Sequence, residues 1–401
     1  MALRDTEELF MTQALDLARQ GVGLTSPNPC VGAIVVDERG RIAGRGTHTY
    51  EGRKHAEVLA LEEAGDLAHG NTLYLNLEPC SHQGRTGPCA DAIIAAGIAR
   101  VVSAMRDPNP LVSGKGFEKL RAAGIEVVDG VLEAEARKLN ESFTRYIRTR
   151  LPLVTLKTAM TLDGKIAAAS NVSQNPTALG SAQASITYIT GEAARAHVHK
   201  LRHASDAILV GVGTIIADDP LLTDRSSLPR RRPLLRVILD SRLRLPLESR
   251  LVKTCQEDVL VFCSFAEEKK RAELEARGVR VEQVPLATFE PQAGEVPYPH
   301  AVPTNSKPDM KKVFQQLGES EITSVLVEGG AAVNWTCLAA GVVDKIFFYY
   351  APKILGGSGS VPFASGAGFA RMAEAAMVHN ITVHHFGEDF AIEGYLRDPY
   401  A

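Results

Sequence analysis

No run of 18 or more apolar residues occurs in this chain of 401 residues, so a membrane-spanning helix is not expected. The opening Met1-Ala2-Leu3-Arg4-Asp5-Thr6-Glu7-Glu8 is too acidic for a signal or transit peptide, and the expected location is the cytoplasm. Cysteine is scarce. Six (Cys30, Cys80, Cys89, Cys255, Cys263, Cys337) in so long a chain do not make a disulfide scaffold. An excess of positive charge is missing too: the net charge of -3 offers nucleic acid no electrostatic footprint. What remains, 45% hydrophobic and 23% charged residues, is ordinary for a soluble protein, and the length calls for two domains, each able to bury its own core.

Two of the few cysteines carry the strongest signal. His55-Ala56-Glu57, then Pro79-Cys80, then Cys89 supply one imidazole, two thiols and a carboxylate in the order used by zinc-dependent nucleobase deaminases. Zinc on three protein ligands keeps a fourth position for a water whose pKa falls to about 7. His55, Cys80 and Cys89 are the expected ligands, and Glu57 the expected carrier of protons to the ring nitrogen and the departing amine. The usual second half is Pro-Cys-x-x-Cys, whereas Ser81 to Pro88 separates the cysteines here. That loop can close on the metal if Cys89 begins the helix Cys89-Ala90-Asp91-Ala92-Ile93-Ile94. The remaining cysteines sit in apolar surroundings and read as core residues.

Residues 1–147 read as alternating helices and strands. Helices are expected over Leu9 to Ala18, His55 to Ala64 and from Cys89; strands at Val31 to Val36, Thr72 to Leu77, Val101 to Ala104 and Ile125 to Val128. This makes a sheet sandwiched by helices with both zinc half-motifs near helix N-termini, which favour thiolate. A long amphipathic stretch from Leu132 to Arg148 then reaches Leu151-Pro152, the expected boundary. A second α/β pattern over 151–401 has strands at Leu153 to Lys157, Ala207 to Val210, Arg236 to Leu239, Val259 to Phe262 and Ser324 to Val327. Six prolines between Val284 and Pro308 mark an exposed loop.

In the second half, Val327-Glu328-Gly329-Gly330-Ala331-Ala332-Val333-Asn334 places a glycine pair between a strand and a helix start, where free N–H groups bind phosphate. Val210-Gly211-Val212-Gly213-Thr214 also follows a strand, but Ile216 stands where a dinucleotide fingerprint has its third glycine and no clear βαβ unit follows. Either element can equally be a tight structural turn. His197, His199 and His203 share one helix, and His199 and His203 form an i, i+4 pair that could hold metal, with no third ligand spaced to complete a site. Arg230-Arg231-Arg232, between prolines, reads as a solvated loop.

Taken together, the two halves resemble the bifunctional deaminase/reductase family of riboflavin biosynthesis. The matching stretches of the first half are Thr25-Ser26-Pro27-Asn28-Pro29, His55-Ala56-Glu57-Val58, Leu77-Glu78-Pro79-Cys80-Ser81-His82, Gly84-Arg85-Thr86-Gly87-Pro88-Cys89 and Asp107-Pro108-Asn109-Pro110. Those of the second are Leu162-Asp163-Gly164-Lys165-Ile166-Ala167, Ile208 to Thr214 with Ala217-Asp218-Asp219-Pro220, and Val327-Glu328-Gly329-Gly330. The long cysteine spacing is also that family's.

The resemblance implies an α/β protein with an N-terminal cytidine-deaminase-like three-layer domain and a C-terminal dihydrofolate-reductase-like domain. The first would use Zn2+ to hydrolyse the 2-amino group of 2,5-diamino-6-(5-phosphoribosylamino)pyrimidin-4-one, with Asn28, His48, His82 and Arg85 holding the pyrimidine and its phosphate. The second would use NADPH to reduce the ribosyl group to ribityl. Its implied cofactor positions are Ala159, Tyr188, Thr214, Asp218, Ser241, Gly330, Ala331, Ala332, Val333 and Asn334. Its implied substrate positions are Arg202, Leu222, Arg225 and Glu328, the two arginines clamping the 5'-phosphate, with Asp218 near the reacting centre. Assembly into a homo-oligomer through the reductase domain is implied as well.

One stretch departs from the family pattern. Ala168 to Thr187 is longer than usual, Tyr188 replaces a tryptophan, and Ile186 occupies a usual serine position, so that a substrate hydrogen bond is lost or moved to Ser185 or Thr187. Two other readings compete. A nucleic-acid-editing deaminase would need a basic groove that this composition lacks, and a flavin-pathway regulator would need a degenerate zinc site, whereas all four residues are present.

Overall fold

The computed structural model describes residues 3–52, 54–82, 87–110, 112–168, 188–287 and 307–401, which form two compact units. The first comprises Met1–Arg150 together with Pro229–Arg232 and Tyr400; the second comprises Leu151–Leu228, Pro233–Pro399 and Ala401.

The first unit runs α1 (Leu3–Arg19), β1 (Gly32–Val36), β2 (Ile42–Thr47), α2 (Ala56–Ala64), β3 (Thr72–Leu75), α3 (Cys89–Ala95), β4 (Arg100–Ser103), α4 (Lys115–Ala122), β5 (Glu126–Asp129), α5 (Glu133–Leu139) and α6 (Glu141–Thr149). Its five strands lie in the order β2-β1-β3-β4-β5, antiparallel in β2-β1-β3 and parallel in β3-β4-β5. β1 is buried along its whole length, as a central strand with both faces covered must be. α2 lies directly against β2. A Cβ on Gly46 would stand 1.9 Å from the carbonyl oxygen of Ala56, and one on Gly44 2.1 Å from that of Ala60. These two glycines let the helix that begins at His55 press onto the sheet.

Two sequence expectations are corrected in this unit. The stretch Leu132 to Arg148 is two helices, broken at Asn140, because that side chain is spent elsewhere. Fully buried, it accepts from the Cys30 N–H at 2.8 Å and donates to the Cys30 carbonyl at 3.1 Å. Nor is the arginine triplet a solvated loop. Arg231 donates its backbone N–H to Gly23 O at 2.8 Å and lies 3.5 Å over the Tyr50 ring, and Arg232 reaches Ser26 Oγ at 3.1 Å. A planar guanidinium covers an aromatic face and still finds acceptors, so Arg231 is half-buried without losing its polar contacts.

The second unit is built on one large sheet. Its elements are β6 (Leu153–Thr161), β7 (Lys165–Ala167), α7 (Glu192–Ala204), β8 (Ala207–Gly211), α8 (Val212–Asp218), β9 (Leu235–Leu239), α9 (Arg250–Lys253), β10 (Val259–Cys263), α10 (Glu268–Glu275), β11 (Arg280–Gln283), α11 (Met310–Glu319), β12 (Ser324–Val327), α12 (Ala331–Ala339), β13 (Lys345–Ala351), β14 (Val361–Pro362), β15 (His379–Phe386) and β16 (Asp389–Tyr395). The order is β11-β10-β9-β8-β12-β6-β13-β16-β15, parallel from β11 to β13 and antiparallel at the β13-β16-β15 edge, with β7 and β14 paired separately.

Every residue of β8, β9, β10 and β12 is buried, the pattern of parallel strands covered on both faces. The expectation that no βαβ unit follows Val210-Gly211 is corrected, since β8 and β9 are parallel neighbours and α8 lies in their crossover. The short helix and the long connection after it hide this unit from periodicity. Cys30, Cys263 and Cys337 are buried, as expected of core cysteines, and Cys255 is half-buried. No helix among the described residues is long and apolar enough to cross a membrane. Most of the proline-rich segment, and all but Ala168 of the stretch from Ala168 to Thr187, including Ser185 and Ile186, lie outside the described residues.

Candidate active sites

In the first unit, two helix starts bring the zinc-type donors together. His55 is the N-cap of α2 and Cys89 the first residue of α3, while Cys80 lies on the segment after β3. The ligand atoms of His55, Cys80 and Cys89 all fall within 4.8 Å of one another, with His55 Nδ1 3.1 Å from Cys89 Sγ and 3.7 Å from Cys80 Sγ. The Cys89 N–H points at Cys80 Sγ at 3.3 Å. Hydrogen bonds from the Cys89 thiol and from His55 hold the Cys80 thiol down to about 4, while its thiolate neighbour and burial push Cys89 up. The Cys80 hydrogen bond also raises His55.

Glu57, in the first turn of α2, is buried. Desolvation raises its carboxyl, and its Oε2 has no hydrogen-bond partner among the described residues. An orphaned buried carboxylate oxygen beside two sulfurs and an imidazole fits a zinc centre with a proton-moving neighbour.

Glu78 holds the strand-to-cysteine segment, a role that sequence reasoning missed. Its buried carboxylate accepts backbone N–H groups from Asp107 (3.0 Å), Gly114 (2.9 Å), Gly116 (2.8 Å) and Phe117 (3.3 Å). The available signal was an acidic residue inside Leu77-Glu78-Pro79-Cys80, between an apolar strand and a ligand. Asp107, one of those donors, has its own carboxyl pushed up to about 6 by burial.

Of the four expected pyrimidine and phosphate residues, two meet. Asn28 Nδ2 lies 3.1 Å from His48 Nε2, and His48 Nδ1 lies 3.0 Å from the Lys54 carbonyl oxygen. A carbonyl can only accept, so Nδ1 carries the proton and Nε2 accepts from Asn28. Burial lowers the pKa of His48, and its ring sits edge-on to His55 with centroids 5.4 Å apart. His82 is exposed, and Arg85 lies outside the described residues.

In the second unit, adjacent carboxyl ends of β9, β8, β12 and β6 gather most of the expected reductase positions. Glu328 follows β12 and receives Arg202 of α7 through both oxygens, at 2.7 and 3.0 Å, and Lys157 of β6 at 3.4 Å. Burial alone would raise this carboxyl, but Lys157 and Arg202 outweigh it and hold Glu328 down to about 2. Arg202 also donates to Thr223 O at 3.0 Å, so it is engaged within the protein. Lys157 was not singled out from sequence, although an ionisable residue inside an apolar strand was the signal.

Leu222 is buried with φ at 55°, and Arg225 is exposed beyond it. Beneath them the histidines of α7 divide their roles. His203 Nδ1 lies 3.0 Å from Asp224 Oδ2, His197 Nδ1 lies 2.6 Å from the Tyr349 hydroxyl, and the buried Nδ1 of His199 has no partner among the described residues.

Gly330 caps α12, so the N–H groups of Ala331 and Ala332 have no carbonyl one turn back to receive them. A Cβ on Gly329 would lie 2.5 Å from that of Val333, so this glycine permits α12 to sit tight on β12, while Val333 itself packs into the core. Asn334 is buried and donates to Phe363 O at 2.6 Å. Thr214 lies in α8, whose far end carries an exposed Asp218 with a carboxyl raised by local desolvation. Ala159 lies in β6, Ser241 follows β9, and the exposed Tyr188 packs its ring 4.3 Å beneath Arg195. Open N–H groups at a helix start, level with neighbouring strand ends, suit the pyrophosphate of a dinucleotide.

Comparison with known proteins agrees with this architecture. The family described as RibD C-terminal domain matches residues 152–391, and that of the cytidine and deoxycytidylate deaminase zinc-binding region matches residues 4–105. The riboflavin biosynthesis protein RibD of Aquifex aeolicus is 42% identical over 97% of this chain and 98% of its own length, and that of Escherichia coli 37% identical over 96% and 98%. Among solved structures, Acinetobacter baumannii RibD superposes with a TM-score of 0.78 at 35% identity over 98% of this chain and 99% of its own. A Thermotoga maritima diaminohydroxyphosphoribosylaminopyrimidine deaminase/5-amino-6-(5-phosphoribosylamino)uracil reductase does so with a TM-score of 0.76, at the same identity and coverage. A cytidine-deaminase-like unit with a zinc-type donor set, followed by a reductase unit on a mainly parallel sheet, is the composition of these proteins, and the chain belongs to the RibD family.

Proposed function

We propose that this chain carries out two consecutive steps of riboflavin biosynthesis. The first is zinc-dependent hydrolytic deamination of 2,5-diamino-6-(5-phosphoribosylamino)pyrimidin-4-one to 5-amino-6-(5-phosphoribosylamino)uracil. The second is NADPH-dependent reduction of the ribosyl side chain of that product to ribityl. The observation that carries the reading is the His55, Cys80 and Cys89 cluster with the orphaned Glu57 oxygen beside it, in a chain whose second unit is a RibD reductase domain.

His55, Cys80 and Cys89 would hold the zinc, which when bound would supply an acidified water. Glu57, its carboxyl raised by burial, would take a proton from that water and pass it to the ring nitrogen, then take the remaining hydroxyl proton and hand it to the amine, which leaves as ammonia. Asn28, oriented by His48, turns its amide oxygen to the heterocycle edge, and His82 and Arg85 take the phosphate side.

In the second unit, bound NADPH would be the source of the hydride for C1' of the ring-opened imine, with a proton from solvent completing the reduction at nitrogen. Glu328, held ionised by Lys157 and Arg202, binds sugar hydroxyls; Arg225 takes the 5'-phosphate; Leu222 packs against the ligand; and Asp218 stands near the reacting centre. Ala159, Tyr188, Thr214, Ser241 and the backbone from Gly330 to Asn334 hold the cofactor.

The protein works in the cytoplasm as a homo-oligomer joined through its reductase unit. What supports that assembly is the edge strand β15, which leaves Ile381 and Val383 more than half exposed beside an exposed Met377. The test of the function is a zinc assay on the purified protein with coupled turnover from the diamino substrate. One zinc per chain and NADPH oxidation dependent on deamination are expected, and turnover without zinc would overturn the first step.

A further inference from the structure

The arginine triplet stands in the second half of the sequence, yet Pro229–Arg232 fold with the first unit, and neither reaction proposed above uses them. Pro229 and Pro233 restrict the backbone at both ends of the triplet. Arg230 braces it from within, its Nε donating to the Arg232 carbonyl oxygen at 3.2 Å. The other two arginines converge on one turn. The Asn28 N–H donates to Thr25 O at 2.9 Å and closes a turn over residues 25–28, with Ser26 at its first corner. That closing bond uses neither polar group of Ser26. The Arg231 guanidinium donates to Ser26 O, Arg232 donates to Ser26 Oγ at 3.1 Å, and the Arg231 N–H reaches Gly23 O at 2.8 Å.

The same guanidinium holds a second loop. It lies 3.5 Å over the centre of the Tyr50 ring, and the Tyr50 N–H donates to Leu24 O at 3.2 Å. A planar cation can serve both loops at once, because its face covers the ring while the N–H groups at its edge donate in the plane. Asn28 comes two residues after Ser26, and His48 two residues before Tyr50. The two loops that Arg231 joins are therefore those that bring Asn28 Nδ2 to 3.1 Å from His48 Nε2. We infer that Arg231, backed by Arg232, is a positioning residue for deamination: it clasps the turn over residues 25–28 to the loop after β2 and so fixes the Asn28 and His48 pair against the pyrimidine edge. Glu57 and the zinc donors are set instead by the starts of α2 and α3 and by Glu78, so the clasp governs KM and not kcat. This inference rests on the deaminase reading above, in which Asn28 binds the heterocycle.

Arg231→Ala in the full-length, zinc-loaded protein is expected to raise the deaminase KM about five- to tenfold and to leave kcat within about twofold. Zinc content and the reduction of supplied deaminated substrate stay at the level of the unaltered protein, which certifies the fold. Tyr50→Leu removes the ring from the other loop and gives the same rise in KM, so the test stands even where Arg231→Ala does not fold. The decisive comparison is with Asn28→Ala. A residue that acts through Asn28 adds less than about a twofold rise in KM once Asn28 is gone, whereas the effects of two independent residues multiply. Multiplying effects, an unchanged KM in Arg231→Ala, or a fall in kcat with KM unmoved overturns the proposal. Hydrogen exchange reads the clasp without turnover. Arg231→Ala should speed amide exchange in peptides covering residues 21–30 and 48–54 and leave those of α2 and α3 as they were; unchanged exchange in the first two overturns the clasp. An unaltered protein that does not deaminate the diaminopyrimidine would instead strike the functional reading, while the exchange measurement still decides the clasp.

Discussion

Asn28 Nδ2 donates to His48 Nε2 across 3.1 Å, and the Lys54 carbonyl on the far side of the imidazole fixes which nitrogen of His48 can accept. The pair turns a flexible amide into an oriented one, with its oxygen left for a ligand. Asn28→Ala is expected to raise the deaminase KM roughly tenfold, about the worth of one buried hydrogen bond. Zinc content should stay at that of the unaltered protein; loss of zinc in this variant would mean that Asn28 supports the metal site instead.

Glu57→Gln keeps the shape of the side chain and removes its capacity to carry a proton. Deamination should fall by about a hundredfold or more, while bound zinc and the reduction of supplied deaminated substrate remain. Joint loss of both activities in a folded, zinc-loaded protein would sink the two-site reading.

Glu78→Ala removes the acceptor of N–H groups from Asp107, Gly114, Gly116 and Phe117. Each buried donor left without a partner costs about 1 to 3 kcal/mol, so a loss of roughly 3 kcal/mol or more in the stability of the first unit is expected. Thermal unfolding read alongside zinc retention checks this, and Glu78→Gln, which keeps one acceptor oxygen, should lose less on both measures.

Glu328 makes its own pH signature. Its folded pKa, about 2, lies below the ordinary value of 4.5, so its contribution to stability is complete above the unfolded value and is lost as pH falls toward 2. Glu328→Gln should flatten that acid limb in pH-dependent unfolding. It also leaves Lys157 and Arg202 buried without their counter-charge, at a cost of about 3 to 5 kcal/mol, and should abolish reduction while sparing deamination. An acid unfolding profile identical to that of the unaltered protein would show that the three charges are not coupled.

Much of this protein was legible before folding because its signals are local. Cys89 opens a helix and His55 caps another, so the spacing of His55, Glu57, Cys80 and Cys89 along the chain already describes one zinc-type cluster. The apolar runs that became β1, β3, β8, β9, β10 and β12 are strands because parallel and central strands are covered on both faces and need no polar alternation. The two α/β halves and their deaminase-like and reductase-like character follow from motifs that each lie within a few residues.

What tertiary structure alone decided is every relationship that joins distant positions. Lys157 and Glu328 meet across 171 residues because β6 and β12 are parallel neighbours, and Arg202 reaches the same carboxylate from a helix across 126 residues. The break at Asn140 follows from a carbonyl and an N–H of Cys30, 110 residues away, and the packing of the half-buried Arg231 from an aromatic ring at Tyr50. Strand order did the same for the reductase, where the crossover through α8 and the row of strand ends from β12 to β11 exist only once the sheet is assembled. Residue type and spacing determine which chemistry is available. Which groups share a site is set by sheet order and register, and those are decided by long-range packing that no window of sequence contains.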